Sequence, residues 1–228
     1  YGLCNIQKIH DQVNERSRII VSKGHCAAAT YVVSNAFGLL TNQLLETYHQ
    51  DNSLLAGHVS HSVPYVEHST GALGHGLSVA VGCAIGLKSR SIKDSLSLCL
   101  CGDGEIQEGS IWEALMFAGH KKLDNLVVFI DYNKISSITE TNKVVNLEPL
   151  YEKFKSFNLE ASIVDGHNVN EIINVATKSI FKGKPTILIC NTVKGKDIPF
   201  AENKAIWHYK SLDEDLYKEA KQYLLKIL

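Results

Sequence analysis

Gly102-Asp103-Gly104 follows directly on an apolar run that ends at Cys101, and Asn133 stands thirty residues after Asp103. The two glycines allow a tight turn and the close approach of a phosphate, while the aspartate offers a hard oxygen to a cation. Alone the triplet is weak, because composition produces one in roughly one chain of this length in twenty, and a simple turn explains it. The pairing with Asn133 carries more. A strand-helix-strand unit of about thirty residues returns the chain to a neighbouring position at the same sheet edge, so an aspartate oxygen and an asparagine oxygen come to face one another. Mg²⁺ takes oxygen ligands, usually one or two protein groups plus phosphates, and suits this pair better than Zn²⁺ does. The spacing therefore predicts a diphosphate site held through a divalent ion.

Histidine is the second chemical signal. His58 and His61 form an H-x-x-H in a stretch that also holds His68, with His75 just beyond. Zinc would find only Glu67 as a further ligand at suitable spacing, so no zinc site is expected. His10, His49 and His120 read as structural hydrogen-bonding residues.

These residues need a frame. Short β-rich runs alternate with helical periodicity. Strands are expected over 18–22, 96–101, 126–131, 160–164 and 186–190, and helices over 27–40, 44–49, 76–90, 110–120, 150–157, 169–181 and from 212 onward. Asn168 is positioned to cap the helix that starts at Val169. Residues 50–74 show no period and read as a long loop, the kind that carries function inside a compact domain. Residues 192–210 read as an irregular polar segment. The alternation predicts an α/β fold, a doubly wound and mostly parallel sheet with helices on both faces. Ligands bind such sheets at the carboxyl ends of the strands, so the loops after Cys101, Asp131 and Cys190 should hold the chemistry.

Composition sets limits on partners. The chain has 228 residues, 45% of them apolar, with no repeat or linker dividing it, and is expected to form one domain over 1–228. Its 23 Lys and Arg against 24 Asp and Glu leave a net charge of −1, which provides no long-range attraction to nucleic acid or to an anionic membrane. No stretch approaches the ~18 consecutive apolar residues of a membrane span. Six scattered cysteines read as free thiols in a reducing cytoplasm.

The fuller stretch from Gly102 through Glu105, Glu108 and Trp112 to Ala114, with Asn133, resembles the thiamine diphosphate motif of the transketolase family. Ser22-Lys23-Gly24-His25, Gly57-His58, Ser69-Thr70-Gly71-Ala72-Leu73-Gly74, Lys121 with Leu123-Asp124-Asn125-Leu126, Asp165-Gly166-His167, Thr192-Val193-Lys194-Gly195-Lys196 and Trp207-His208-Tyr209-Lys210 all fall in the family's order. Pyruvate-dehydrogenase-type subunits share the Gly-Asp-Gly and Asn elements but lack the Lys-Gly-Lys and Trp-His segments. The resemblance spans nearly the whole chain and implies a thiamine diphosphate-binding fold.

It also implies roles. Asp103, Asn133 and the Ile135 carbonyl would hold Mg²⁺, or another divalent ion such as Ca²⁺ or Mn²⁺. Gly71, Leu73, Gly102, Asp103, Gly104, Asn133 and Lys194 would contact the cofactor, with Lys23 and Lys210 as nearby cations. His25, His58 and His208 would line the sugar channel, and Glu108 would join an acidic network where subunits meet. Full-length members run to roughly three times this length, so the resemblance is to the N-terminal subunit of a split enzyme, short of the N-terminal segment that in the family holds an early histidine. Such a chain would act with a partner carrying the pyrimidine-binding and C-terminal domains, in an α₂β₂ assembly, moving a two-carbon ketol unit from a ketose to an aldose. An acyloin-forming or secondary-metabolic relative acting on a modified sugar, and a non-catalytic assembly or regulatory subunit, are the alternatives. Three departures bear on the choice: Cys26-Ala27-Ala28-Ala29 after His25, His75 where glutamine is common, and Ser136-Ser137-Ile138-Thr139 after Ile135.

Overall fold

The computed structural model describes residues 3–4 and 6–227. Strands β1 (Arg18–Val21), β2 (Ser97–Gly102), β3 (Leu126–Tyr132), β4 (Glu160–Asp165) and β5 (Thr186–Asn191) pair in parallel in the order β1-β2-β3-β5-β4. Helices α1 (Ile6–His10), α2 (Ala27–Ala36), α3 (Asn42–Leu45), α4 (Gly76–Ser89), α5 (Gly109–His120), α6 (Thr141–Val144), α7 (Leu150–Ser156), α8 (Val169–Ser179) and α9 (Glu214–Leu225) surround the sheet. The α/β parallel architecture expected from the periodicity is the one observed.

Strand order explains the layering. Passing from β1 to β2, β3 and β4 moves the chain in one direction across the sheet, and right-handed crossovers then place α4, α5 and α7 on one face. There Leu77, Ala84, Ile111, Leu115 and Phe154 pack on Cys99, Val128, Ile130 and Ile187. The return from β4 to β5 reverses direction and sends α8 to the opposite face, where Ala176 meets Val164, Leu188 and Cys190.

Some boundaries differ from expectation. The helix expected over 27–40 stops at Ala36, because Gly38 (φ 72°) takes the left-handed turn and Leu39 N–H bonds back to Ser34 O at 2.9 Å. The helix expected over 44–49 forms instead as α3, since Thr41 Oγ1 accepts from Leu44 N–H at 3.2 Å and starts it earlier. The α6 turn and a 3₁₀ turn at Ala205–His208 lie in segments with no periodic signal. Asn168 caps α8 as expected, accepting from Glu171 N–H at 3.0 Å.

Residues 50–74 contain no helix or strand. They are nevertheless anchored, because Leu55, Val59 and Val63 form a buried cluster with Ala27 and Tyr31. At its start the loop is tied by Tyr31 Oη, which donates to His58 O at 3.1 Å, and near its end by Thr70 Oγ1, which donates to Val21 O at 2.6 Å.

Candidate active site

The ladders of the sheet continue past the strand ends. Lys23 N–H bonds to Leu100 O at 3.0 Å, Asp103 N–H to Asp131 O at 3.2 Å and Thr192 N–H to Tyr132 O at 3.2 Å, so the loops after β1, β2 and β5 stay in register with their neighbours. With Gly102 opposite Asp131, Asp103 and Asn133 arrive together at the carboxyl edge. They line a cavity of about 310 Å³ with Lys23, His25, Leu73 and Gly104. Gly102, Glu108, Ile135, Lys194 and His208 complete the set of anticipated residues in its wall.

Asp103 is buried and held by its surroundings. Its Oδ1 accepts from Gly104 N–H at 2.7 Å and its Oδ2 accepts from Lys134 N–H. Burial raises its pKa, and those two N–H groups offset part of the rise. Asn133 Oδ1 accepts from Ile135 N–H at 3.0 Å, which fixes the amide against its own turn. Ser136 N–H to Thr139 O and Thr141 N–H to Lys134 O close that turn, and neither bond uses the Ile135 carbonyl. The arrangement brings the Asp103 carboxylate, the Asn133 amide and Ile135 to the wall of one cavity.

The same cavity wall is rich in nitrogen, from Lys23, His25, Lys194 and His208. The Lys23 stem crosses Gly102, where an added Cβ would lie 3.5 Å from Lys23 Cδ, and its ammonium pairs with Asp131, which also accepts from Thr192 Oγ1. Burial is the largest single influence and would raise the Asp131 pKa, but the Lys23 charge and the hydrogen bonds from Lys23, Thr192 and Asn133 together outweigh it and the net shift is downward. Lys194 is half-buried and has no ion-pair partner among the described residues; burial, then Lys23, lowers its pKa.

The three anticipated histidines come together from three separate segments. The His25 ring centroid lies 4.9 Å from that of His58 and 5.5 Å from that of His208. Burial followed by His58 lowers the His25 pKa, and burial followed by Lys194 lowers that of His208, so both imidazoles favour the neutral form. His58 and Gly71 line an adjoining cavity together with His68 and His75. Gly71 serves packing: a Cβ there would lie 3.2 Å from the His58 ring, and a Cβ on Gly24 would lie 2.7 Å from Gly71 N. His61 Nδ1 pairs with Ser69 Oγ at 2.6 Å, and among the described residues no three His, Cys, Asp or Glu side chains converge as metal ligands. Glu108 is exposed at the N-terminus of α5. Ser136, Ser137 and Ile138 line the main cavity, so the departure in that segment faces the site directly.

Two site residues escaped sequence reasoning. Asp131 reads only as a strand end, and Glu105 only as one residue of the family-like stretch after Gly104, with no role of its own; the contacts of both are with partners distant in sequence.

The family model for the transketolase thiamine diphosphate-binding domain matches residues 5–225. The chain is 36% identical over 208 residues to the 6-deoxy-6-sulfo-D-fructose transketolase subunit of Clostridium sp. (strain MSTE9), covering 90% of this chain and 75% of that one. It is 40% identical over 202 residues to an apulose-4-phosphate transketolase subunit of Actinobacillus succinogenes, covering 88% and 73%. The solved transketolase of Campylobacter jejuni superposes with a TM-score of 0.86 at 31% identity, over 96% of this chain and 35% of that one.

Proposed function

Because this chain belongs to the transketolase family as its thiamine diphosphate-binding domain, we propose that it is the diphosphate-side subunit of an enzyme transferring a two-carbon ketol unit from a ketose to an aldose. The single observation that carries the reading is the presence in one cavity of hard oxygens on Asp103 and Asn133 and of the half-buried Lys194 ammonium, which no described carboxylate pairs. That donor set fits a divalent ion bound to a diphosphate. Asp103, Asn133 and the Ile135 carbonyl would hold Mg²⁺, Lys194 would neutralise phosphate oxygens, and Leu73, Gly102 and Gly104 would line the cofactor. When bound, thiamine diphosphate would supply an electron sink for the carbon–carbon bond that breaks.

The protein's own share is to bind, orient and move protons. His25, His58 and His208 cluster together and would hydrogen-bond sugar oxygens, and the rings of His25 and His208, which favour the neutral form, would take up a proton as charge on those oxygens changes. Ile138 and Val144 on the cavity wall are exposed and would help exclude water once a partner surface covers them. The relatives named for a sulfo-sugar and for apulose 4-phosphate favour a substituted ketose as donor. The free state of all six cysteines fits a reducing cytoplasm, and among the described residues no helix is long and apolar enough to cross a membrane.

Titrating the chain with thiamine diphosphate and Mg²⁺ by calorimetry tests the site. Asp103→Ala should remove most of the Mg²⁺-dependent binding, since a dication-diphosphate site would lose its one carboxylate ligand. Unchanged affinity in that variant would dismiss the assignment.

A further inference from the structure

Glu105 lies in the wall of the same cavity and is 2% exposed, yet it has no ion-pair partner among the described residues. A buried carboxylate without a cation is costly unless several donors hold it. Three donors hold this one. Its Oε1 accepts from Ser22 Oγ and from Gly74 N–H at 3.0 Å, and its Oε2 accepts from Gly102 N–H at 3.1 Å. Each donor belongs to a different segment that delivers cofactor-side groups. Ser22 directly follows β1 and precedes Lys23 and His25; Gly74, at φ 83°, follows Leu73; and Gly102 opens the turn that carries Asp103. The segments are packed tightly around the carboxylate: a Cβ on Gly74 would lie 2.6 Å from Ser110 Oγ, and one on Gly76 would lie 2.6 Å from Ser22 Cβ.

We propose that Glu105 is a positioning residue that clamps these three segments into the shape that receives a diphosphate. The inference rests on reading the cavity as a diphosphate site. It makes a prediction opposite in sign to simple electrostatics. A carboxylate near a polyanion repels it, so neutralising Glu105 would tighten binding if charge were its main effect. If the clamp dominates, neutralisation weakens binding, because glutamine turns an N–H₂ toward an N–H or hydroxyl donor and leaves a buried donor unpaired.

The probe is inorganic pyrophosphate with Mg²⁺, titrated by calorimetry into the full chain as wild type, Glu105→Gln and Ser22→Ala. The expected result is binding weakened about ten-fold or more in Glu105→Gln, and a smaller loss of roughly three-fold in Ser22→Ala, which removes one of the three donors. Unchanged or tighter binding in Glu105→Gln overturns the clamp, as does a lowered thermal midpoint with wild-type affinity, the signature of a purely structural role. Should Glu105→Gln fail to fold, wild-type affinity in Ser22→Ala overturns it equally. Wild-type protein that binds no magnesium pyrophosphate removes the diphosphate reading itself, whereas wild-type binding that the variants leave intact removes only the role of Glu105.

Discussion

At the residue scale, the histidine cluster is set by what surrounds each ring. His25 and His208 both have pKa values lowered first by burial, then by a neighbouring imidazole or ammonium. A group of this kind binds fewer protons folded than unfolded in the window between its lowered pKa and the ordinary histidine value near 6.5. Stability from this source is fully present above about pH 6.5 and is lost as pH falls through that window. The thermal midpoint of the wild-type chain should therefore fall, as pH drops below about 6.5, more steeply than that of a His25→Gln/His208→Gln double variant. Parallel pH profiles for the two proteins would show that neither ring is shifted. The same shift serves chemistry, because rings that remain neutral at pH 7 can accept a proton from a sugar hydroxyl.

At the scale of elements, the long loop after α3 is the part least explained by periodicity and most dependent on specific ties. Glu67 pairs with Arg16 and, at 3.2 Å, with Arg18, and thereby fastens the loop to the start of β1. The Arg16 and Glu67 side chains are only 10% and 13% exposed, so solvent screens this pair weakly. Glu67→Gln leaves two arginines facing a neutral group, and breaking a buried pair from one side typically costs about 3 kcal/mol or more. Urea denaturation should show that loss as a lower midpoint with an unchanged slope; a change within about 0.5 kcal/mol, the usual size of a surface substitution, would mean that the loop is held by its apolar cluster and the Tyr31 and Thr70 hydrogen bonds without help from the ion pair. These ties also show what local pattern can and cannot carry. The five strands, α4, α5 and the Asp103–Asn133 pairing follow from it, because a strand buried on both faces or a 3.6-residue repeat writes itself into neighbouring positions. The same pattern overextends the helix after His25, because Phe37, Leu39 and Leu40 continue the apolar run through the stop at Gly38. Glu105 and Asp131 are illegible as site residues in the sequence, since their meaning depends on Ser22, Gly74, Lys23 and Thr192, which only the sheet pairing brings near.

At the scale of the whole molecule, the site is open where chemistry needs it closed. Ile138 is 74% exposed and Tyr209 71% exposed, although both line the cavity. Apolar groups left in water around a concave polar site mark a wall that another surface covers. The chain spans 35% of the solved Campylobacter transketolase, and the two relatives of comparable extent carry the word subunit in their names. We therefore expect the 228-residue chain, purified alone, to show no ketol transfer, and to gain it on addition of a polypeptide bearing the pyrimidine-binding domain. Sedimentation should then report an α₂β₂ assembly, since family-type sites formed between protomers come in symmetric pairs. On the proposed function, Asp103→Ala should abolish turnover in the mixture while the partner continues to bind the chain, because Asp103 is buried in the cavity floor whereas Ile138 and Tyr209 are exposed at its rim. Robust turnover by the chain alone would show that its own residues close the cavity, with Ile138 and Tyr209 folding over bound substrate in place of a partner.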